Sequence, residues 1–224
     1  MNDNMLDIEL LRNRAALYRM LATLYFKPLS SEQIEALASS DFSSLATEEN
    51  SPFAEAYADL GGALRLRHTG TKEQLAADYT GAFYGIRTHK GRTAQPFESL
   101  FRTGGKAELM GEARSEVYQE LKRQKLKVPD GIDLPEDHLS FIFEYLGLLC
   151  DQAATLLQSG NHAEGEAILE TQRDFFMAHV DSWINSFIAQ GRLMVETRFY
   201  RGVLKLTEAF VAEEKELLEN GGER

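Results

Sequence analysis

Asp137-His138 is the first place in this chain to look for chemistry, since an adjacent carboxylate and imidazole can form half of an acid–base pair. The competing structural reading is a helix start, where the carboxylate favours the positive end and the histidine finds a core partner. Glu144 follows in the same apolar run. At about 100° per residue, Asp137, Phe141, Glu144 and Leu148 fall on one stripe of a helix. A carboxylate buried there is costly unless paired. No other constellation supports catalysis. There is no His-Glu-x-x-His, and Cys150 is the single cysteine, so zinc motifs and a thiolate cluster within the chain fail. None of His68, His89, His138, His162 and His179 follows a glutamate by three residues, as a di-iron bundle requires. Gly104-Gly105-Lys106 resembles a phosphate loop, but Leu100 stands at its earlier glycine and Ala107 at its Ser/Thr position. Gly-x-Ser-x-Gly does not occur. The chain is expected to be no enzyme and to need no metal or cofactor.

Those residues sit in a chain of 224 residues with 43% hydrophobic and 26% charged side chains, an ordinary globular composition. Such a length can bury a sizeable core without staples. One cysteine excludes an intramolecular disulfide and fits a reducing compartment. The N-terminal residues are acidic and polar and lack the basic-then-apolar pattern of a signal peptide. Apolar stretches are broken by charge well short of a membrane span. A cytosolic protein without stable membrane insertion is therefore expected. The formal net charge of −11 repels phosphate backbones, which argues against nucleic-acid binding. The same charge attracts a basic peptide or surface, although it can equally serve solubility alone.

Apolar residues recur at helical spacing almost throughout, and alternating β-branched runs are absent. The pattern predicts a first helix over Leu6–Tyr25 with Leu10, Leu17, Leu21 and Leu24 along one side. One short helix follows Ser30 or Ser31, and a third begins at Ser51-Pro52 and reaches Arg67. A fourth covers Lys72–Tyr84. Gly85–Gly104 is then a long irregular stretch of the kind usually tied to function. A fifth helix covers Gly105–Gln124, and Lys125–Leu134 is a linker with a Pro129-Asp130-Gly131 turn. Pro135 opens a sixth helix to Gln158, apolar nearly all round and so expected at the centre. Ser159-Gly160-Asn161 breaks the chain. Further helices cover His162–Ala178, Val180–Ala189 (stopped at Gly191) and Val195–Leu218, and Asn220–Arg224 reads as a disordered tail. The expected fold is all-α, a single-domain bundle of about eight to nine helices over residues 1–224. Residues 125–134 could act as a hinge between sub-parts 1–124 and 135–220. A monomer with a domain-swapped minor dimer follows from that reading.

Pro135-Glu-Asp-His-Leu-Ser-Phe-Ile-Phe-Glu-Tyr-Leu-Gly147 resembles the signature of the TorD/DmsD/NarJ group of redox-enzyme maturation chaperones. Leu17–Tyr25, Asp78–Phe83 with Pro96–Phe101, and Trp183–Phe187 with Phe199-Tyr-Arg201 are similar to further stretches of that family, in the same order. The resemblance implies an all-helical cytoplasmic chaperone. It would bind the precursor of a molybdenum-cofactor oxidoreductase, through its twin-arginine leader, its apo form or both, and assist cofactor insertion before export. The alternative is a helical assembly or regulatory subunit that binds a redox-enzyme subunit without reading a leader.

By the same resemblance Asp137 and His138 belong to the client site, with Pro96, Glu98, Ser99 and Phe101 of the loop. Phe97-Glu98 and Phe143 depart from the family's usual residues, which leaves the client open. A leader of two arginines and an apolar segment needs carboxylates and an apolar groove. Asp137, Glu144 and Glu98 can supply the first, and Phe83, Tyr84, Phe97, Leu100 and Phe101 the second. For each aromatic alone, core packing is the competing reading.

Overall fold

The computed structural model describes residues 2–47, 51–102, 111–129 and 131–220. Among them lie ten α-helices: α1 (Asn2–Phe26), α2 (Ser31–Ala38), α3 (Phe42–Leu45), α4 (Ala54–Arg65), α5 (Thr71–Phe83), α6 (Glu112–Arg123), α7 (Leu139–Gln158), α8 (His162–Phe176), α9 (Ile184–Arg192) and α10 (Arg198–Asn220). A 3₁₀ turn, Glu98–Leu100, and a π-helical segment, Met177–Asp181, complete the helical elements. Extended pairing among the described residues is confined to two isolated bridges, His89 with Arg92 and Phe97 with His138. The all-α expectation holds. The expected short second helix is two helices, because Asp41 caps a new start by accepting the Ser44 N–H. The part of the expected fifth helix at 105–110, the phosphate-loop-like Gly104-Gly105-Lys106, Asp130 of the expected turn and the 221–224 tail lie outside the described residues.

The chain packs as two compact units. One comprises Met1–Phe26 and Phe97–Ile184, the other Lys27–Pro96 and Asn185–Arg224. Residues 125–134 fall inside the first unit, where they join α6 to α7.

In the first unit α1 runs along α7. Gly147 permits the approach, since a Cβ there would stand 3.3 Å from the Ala15 carbonyl oxygen and from the Tyr18 Cβ. The buried face of α1 matches the expected leucine line only in part. Leu21 and Leu24 are buried, Leu10 is 44% exposed, and Leu11, Ala15, Tyr18, Ala22 and Tyr25 complete the face. Tyr18 and Tyr25 both meet the Phe143 ring, at 5.7 and 6.5 Å. The central helix also differs from expectation. It begins at Leu139 rather than Pro135, with His138 as its N-cap, so Asp137 precedes the helix. It is not apolar all round: Phe141 and Leu148 are half-buried and Glu144 is exposed.

The second unit is organised by α10, which packs on α4 and α5. Asp78 of α5 is 2% exposed, and its carboxylate accepts the N–H groups of Glu196 and Thr197 and the Thr197 hydroxyl. A side chain from one helix thus caps the start of another. Arg87 completes the arrangement, donating to Asp78 at 2.7 Å and to the Met194 carbonyl at 2.9 Å. Gly191 lies within α9 rather than ending it.

Candidate functional site

The loop Phe97–Phe101 and the start of α7 are joined through main-chain and side-chain bonds within the first unit. The Asp137 carbonyl accepts the Glu98 N–H at 3.1 Å, and the Asp137 Oδ2 accepts the Ser99 N–H at 3.0 Å. Asp137 is 0% exposed; its Oδ1 and the Ser99 hydroxyl are buried with no hydrogen-bond partner among the described residues. His138 caps α7, its Nδ1 accepting the Ser140 N–H at 3.2 Å and lying 2.7 Å from the Ser140 hydroxyl. Because the amide can only donate, that nitrogen is the bare one and the imidazole is neutral. Burial pushes the His138 pKa down to about 3. The Phe97 ring meets His138 edge-on at 4.9 Å.

Glu98 has the most unusual surroundings. It is 0% exposed, and its Oε2 lies 2.9 Å from His179 Nδ1. Its Oε1 has no hydrogen-bond partner among the described residues and lies 3.5 Å from Arg102 Nη1. The same guanidinium nitrogen donates to Glu116 of α6. Glu116, half-buried, thereby joins Glu98 around Arg102, whose pKa is raised, chiefly by the hydrogen bond to Glu116. The π-helical segment sets the position of His179. Its carbonyl accepts the Trp183 indole N–H at 2.6 Å, and Phe175 packs 4.6 Å from its ring. Trp183 in turn stacks on Phe101 at 5.9 Å. Glu98, Glu116 and His179 offer ligand atoms within 4.8 Å of one another, a donor set that a divalent metal can use, but the Arg102 guanidinium faces both carboxylates.

Of the residues singled out from sequence, Asp137, His138, Glu98, Ser99 and Phe101 come together in the first unit. Glu144 does not join them; it is exposed on α7 and faces Arg19 at 3.8 Å. Phe83, Tyr84 and Pro96 belong to the second unit. Phe83 is buried against Phe187 and Tyr200, Pro96 is buried, and Tyr84 is 49% exposed. Three groups escaped the sequence reading: Arg102, Glu116 and His179. No short motif links them, and His179 is separated from Glu98 by 81 positions.

The second unit holds an open cavity of ≈ 260 Å³ lined by Leu66, His68, Gln74, Glu196 and Arg198 among others. Four large apolar side chains of that unit, Leu66, Tyr84, Ile86 and Leu193, are between 49% and 76% exposed. No helix among the described residues is long and apolar enough to cross a membrane.

Fold and site together define an all-helical protein whose buried charges hold its own side chains and main chain in place. A profile described as nitrate reductase delta subunit matches residues 46–189. The chaperone protein TorD of Shewanella oneidensis is 27% identical over 226 residues, spanning 96% of this chain and 94% of that protein. TorD of Shewanella loihica is 28% identical over 218 residues, 92% of each. TorD of Vibrio vulnificus strain YJ016 is 30% identical over 202 residues, 88% of this chain and 90% of that one. The chain belongs to the TorD/NarJ family of redox-enzyme maturation chaperones and is not an enzyme.

Proposed function

We propose that this chain acts in the cytoplasm, binding the precursor of a molybdenum-cofactor reductase through its twin-arginine leader, its apo form or both, and assisting cofactor insertion before export. The observation that carries this reading is the end-to-end match to proteins named as TorD chaperones. Two physical features support it. The net charge of −11 draws a basic leader towards the surface. Exposed Leu66, Tyr84, Ile86 and Leu193 of the second unit offer apolar contact to a client. Asp137 and His138 serve this function by shaping the Phe97–Phe101 loop, since both are sealed from solvent.

A second reading follows from the delta-subunit match: the chain binds the body of a redox-enzyme subunit without reading a leader. Calorimetric titration separates the two. The first reading expects a synthetic twin-arginine leader to bind, with affinity falling when both arginines become alanine and when salt is raised. Binding of the leaderless apo-reductase alone, with no heat from either peptide, would replace it by the second. The linker at 125–134 gives an accompanying expectation of a monomer with a minor exchanged dimer, which light scattering across concentration resolves.

A further inference from the structure

We propose that Glu98, Glu116 and His179 form a guanidinium-binding pocket that Arg102 occupies in cis, and that an arginine of a basic peptide enters by replacing it. The inference deepens the leader-binding reading and rests on it for the source of the arginine. Three observations carry it. The pocket already holds the group it is said to bind, with one Arg102 nitrogen facing carboxylates from two different elements. Its floor is preorganised: Glu98 is 0% exposed and is oriented by His179 at 2.9 Å, which is itself held by the Trp183 bond to its carbonyl. The occupancy is also incomplete. Among the described residues Glu98 Oε1 is buried without a hydrogen bond, and Arg102 approaches it only to 3.5 Å. A planar fork that reached both carboxylates would satisfy that oxygen, which the in-cis arginine does not.

Arg102 is well suited to leave. Its side chain is 34% exposed, and Glu116 is 39% exposed, so the mouth opens to water while Glu98 stays inside. Displacement exchanges one charge-assisted contact for another, so the pocket never holds two unneutralised carboxylates. A free arginine, a basic peptide and a divalent cation all compete for this place. The guanidinium is favoured because its fork offers N–H donors to both carboxylates while leaving the Glu98–His179 contact intact, whereas a metal would have to break that contact to use the same atoms.

The test uses the full-length chain, Arg102→Ala, and Arg102→Ala/Glu116→Gln, with Arg102→Gln as a substitute if the alanine variant does not fold. The probes are a twin-arginine peptide, its lysine counterpart, methylguanidinium and Zn²⁺. Removing the internal competitor is expected to tighten the twin-arginine peptide by about ten-fold over the natural chain. The gain is lost in the double variant and with the lysine peptide. Methylguanidinium is expected to raise the melting temperature of the single variant and leave the natural chain unchanged. Equal or weaker peptide affinity in Arg102→Ala, or a gain that survives Glu116→Gln, overturns the pocket. So does stabilisation by Zn²⁺ with none by methylguanidinium. If the natural chain binds the peptide and Arg102→Ala gains nothing, the pocket fails while leader binding stands. If methylguanidinium fills the vacated pocket but no leader peptide binds any variant, the guanidinium site stands and the leader reading fails.

Discussion

The carboxylate of Asp137 accepts the backbone N–H of Ser99 across 38 positions of sequence, at 3.0 Å and without solvent exposure. The loop thereby takes its shape from the residue that precedes the central helix. Asp137→Ala leaves a buried amide without an acceptor, which typically costs about 1–3 kcal/mol. For a chain of this size the melting temperature should fall by about 3–10 °C. Asp137→Asn, which retains an acceptor oxygen, should fall less. Thermal unfolding of the two variants checks this, and an alanine variant as stable as the natural chain would show that the bond holds nothing in place.

His138 makes stability depend on acidity in a definite direction. Its folded pKa of about 3 lies below the ordinary 6.5, so under acid conditions the unfolded chain takes a proton that the folded one refuses. This contribution is complete above about pH 6.5 and is lost as pH falls towards 3, by at most about 1.4 kcal/mol per unit. Asn at this position keeps a short N-cap acceptor and removes the titration. Urea unfolding at pH 7 and pH 5 should show the natural chain losing about 2 kcal/mol more than His138→Asn. Identical losses would remove His138 as the cause.

Asp78 should be the most sensitive polar residue of the second unit. Its loss unties the start of α10 and leaves Arg87 without its buried partner. Asp78→Ala is expected to destabilise by about 3 kcal/mol, within the range for breaking a buried charge pair. A shift in denaturant midpoint at constant slope measures it. A change below about 0.5 kcal/mol, the size of an ordinary surface substitution, would contradict the capping role.

Two helices of the first unit end in the same motif with different residues. After α7, Gly160 at φ 81° donates to the Leu157 carbonyl and Asn161 donates to that of Leu156. After α6, Lys125 at φ 58° and Leu126 make the equivalent bonds to Lys122 and Leu121. A lysine in the left-handed region is disfavoured by roughly 1–2 kcal/mol, part of which glycine returns as backbone freedom on unfolding. Lys125→Gly should therefore stabilise by about 0.5–1 kcal/mol, read as a rise in melting temperature, whereas Gly160→Lys should lower it. A fall on Lys125→Gly would mean that the side chain matters more than the backbone.

Sequence alone determined the helical class, because a 3.6-residue apolar period is a local property, as in α5 and α7. It also determined the breaks at Lys27-Pro28 and Ser159-Gly160-Asn161, where steric restriction and the left-handed conformation act within a few residues. The family resemblance was legible for the same reason, being carried by short contiguous stretches. Packing decided the rest. The apolar period placed Asp137 and Glu144 on one stripe, but the cap at His138 puts Asp137 before the helix, buried, and leaves Glu144 in solvent. Leu10 reads as core in its local pattern and is exposed because Tyr18 and Tyr25 take the face towards Phe143. The Glu98 site depends on His179 and Glu116, which come from a π-helical segment and from α6. Whether a charge is buried, and which remote charge answers it, is set by which surfaces exclude water together, and local periodicity carries no record of that.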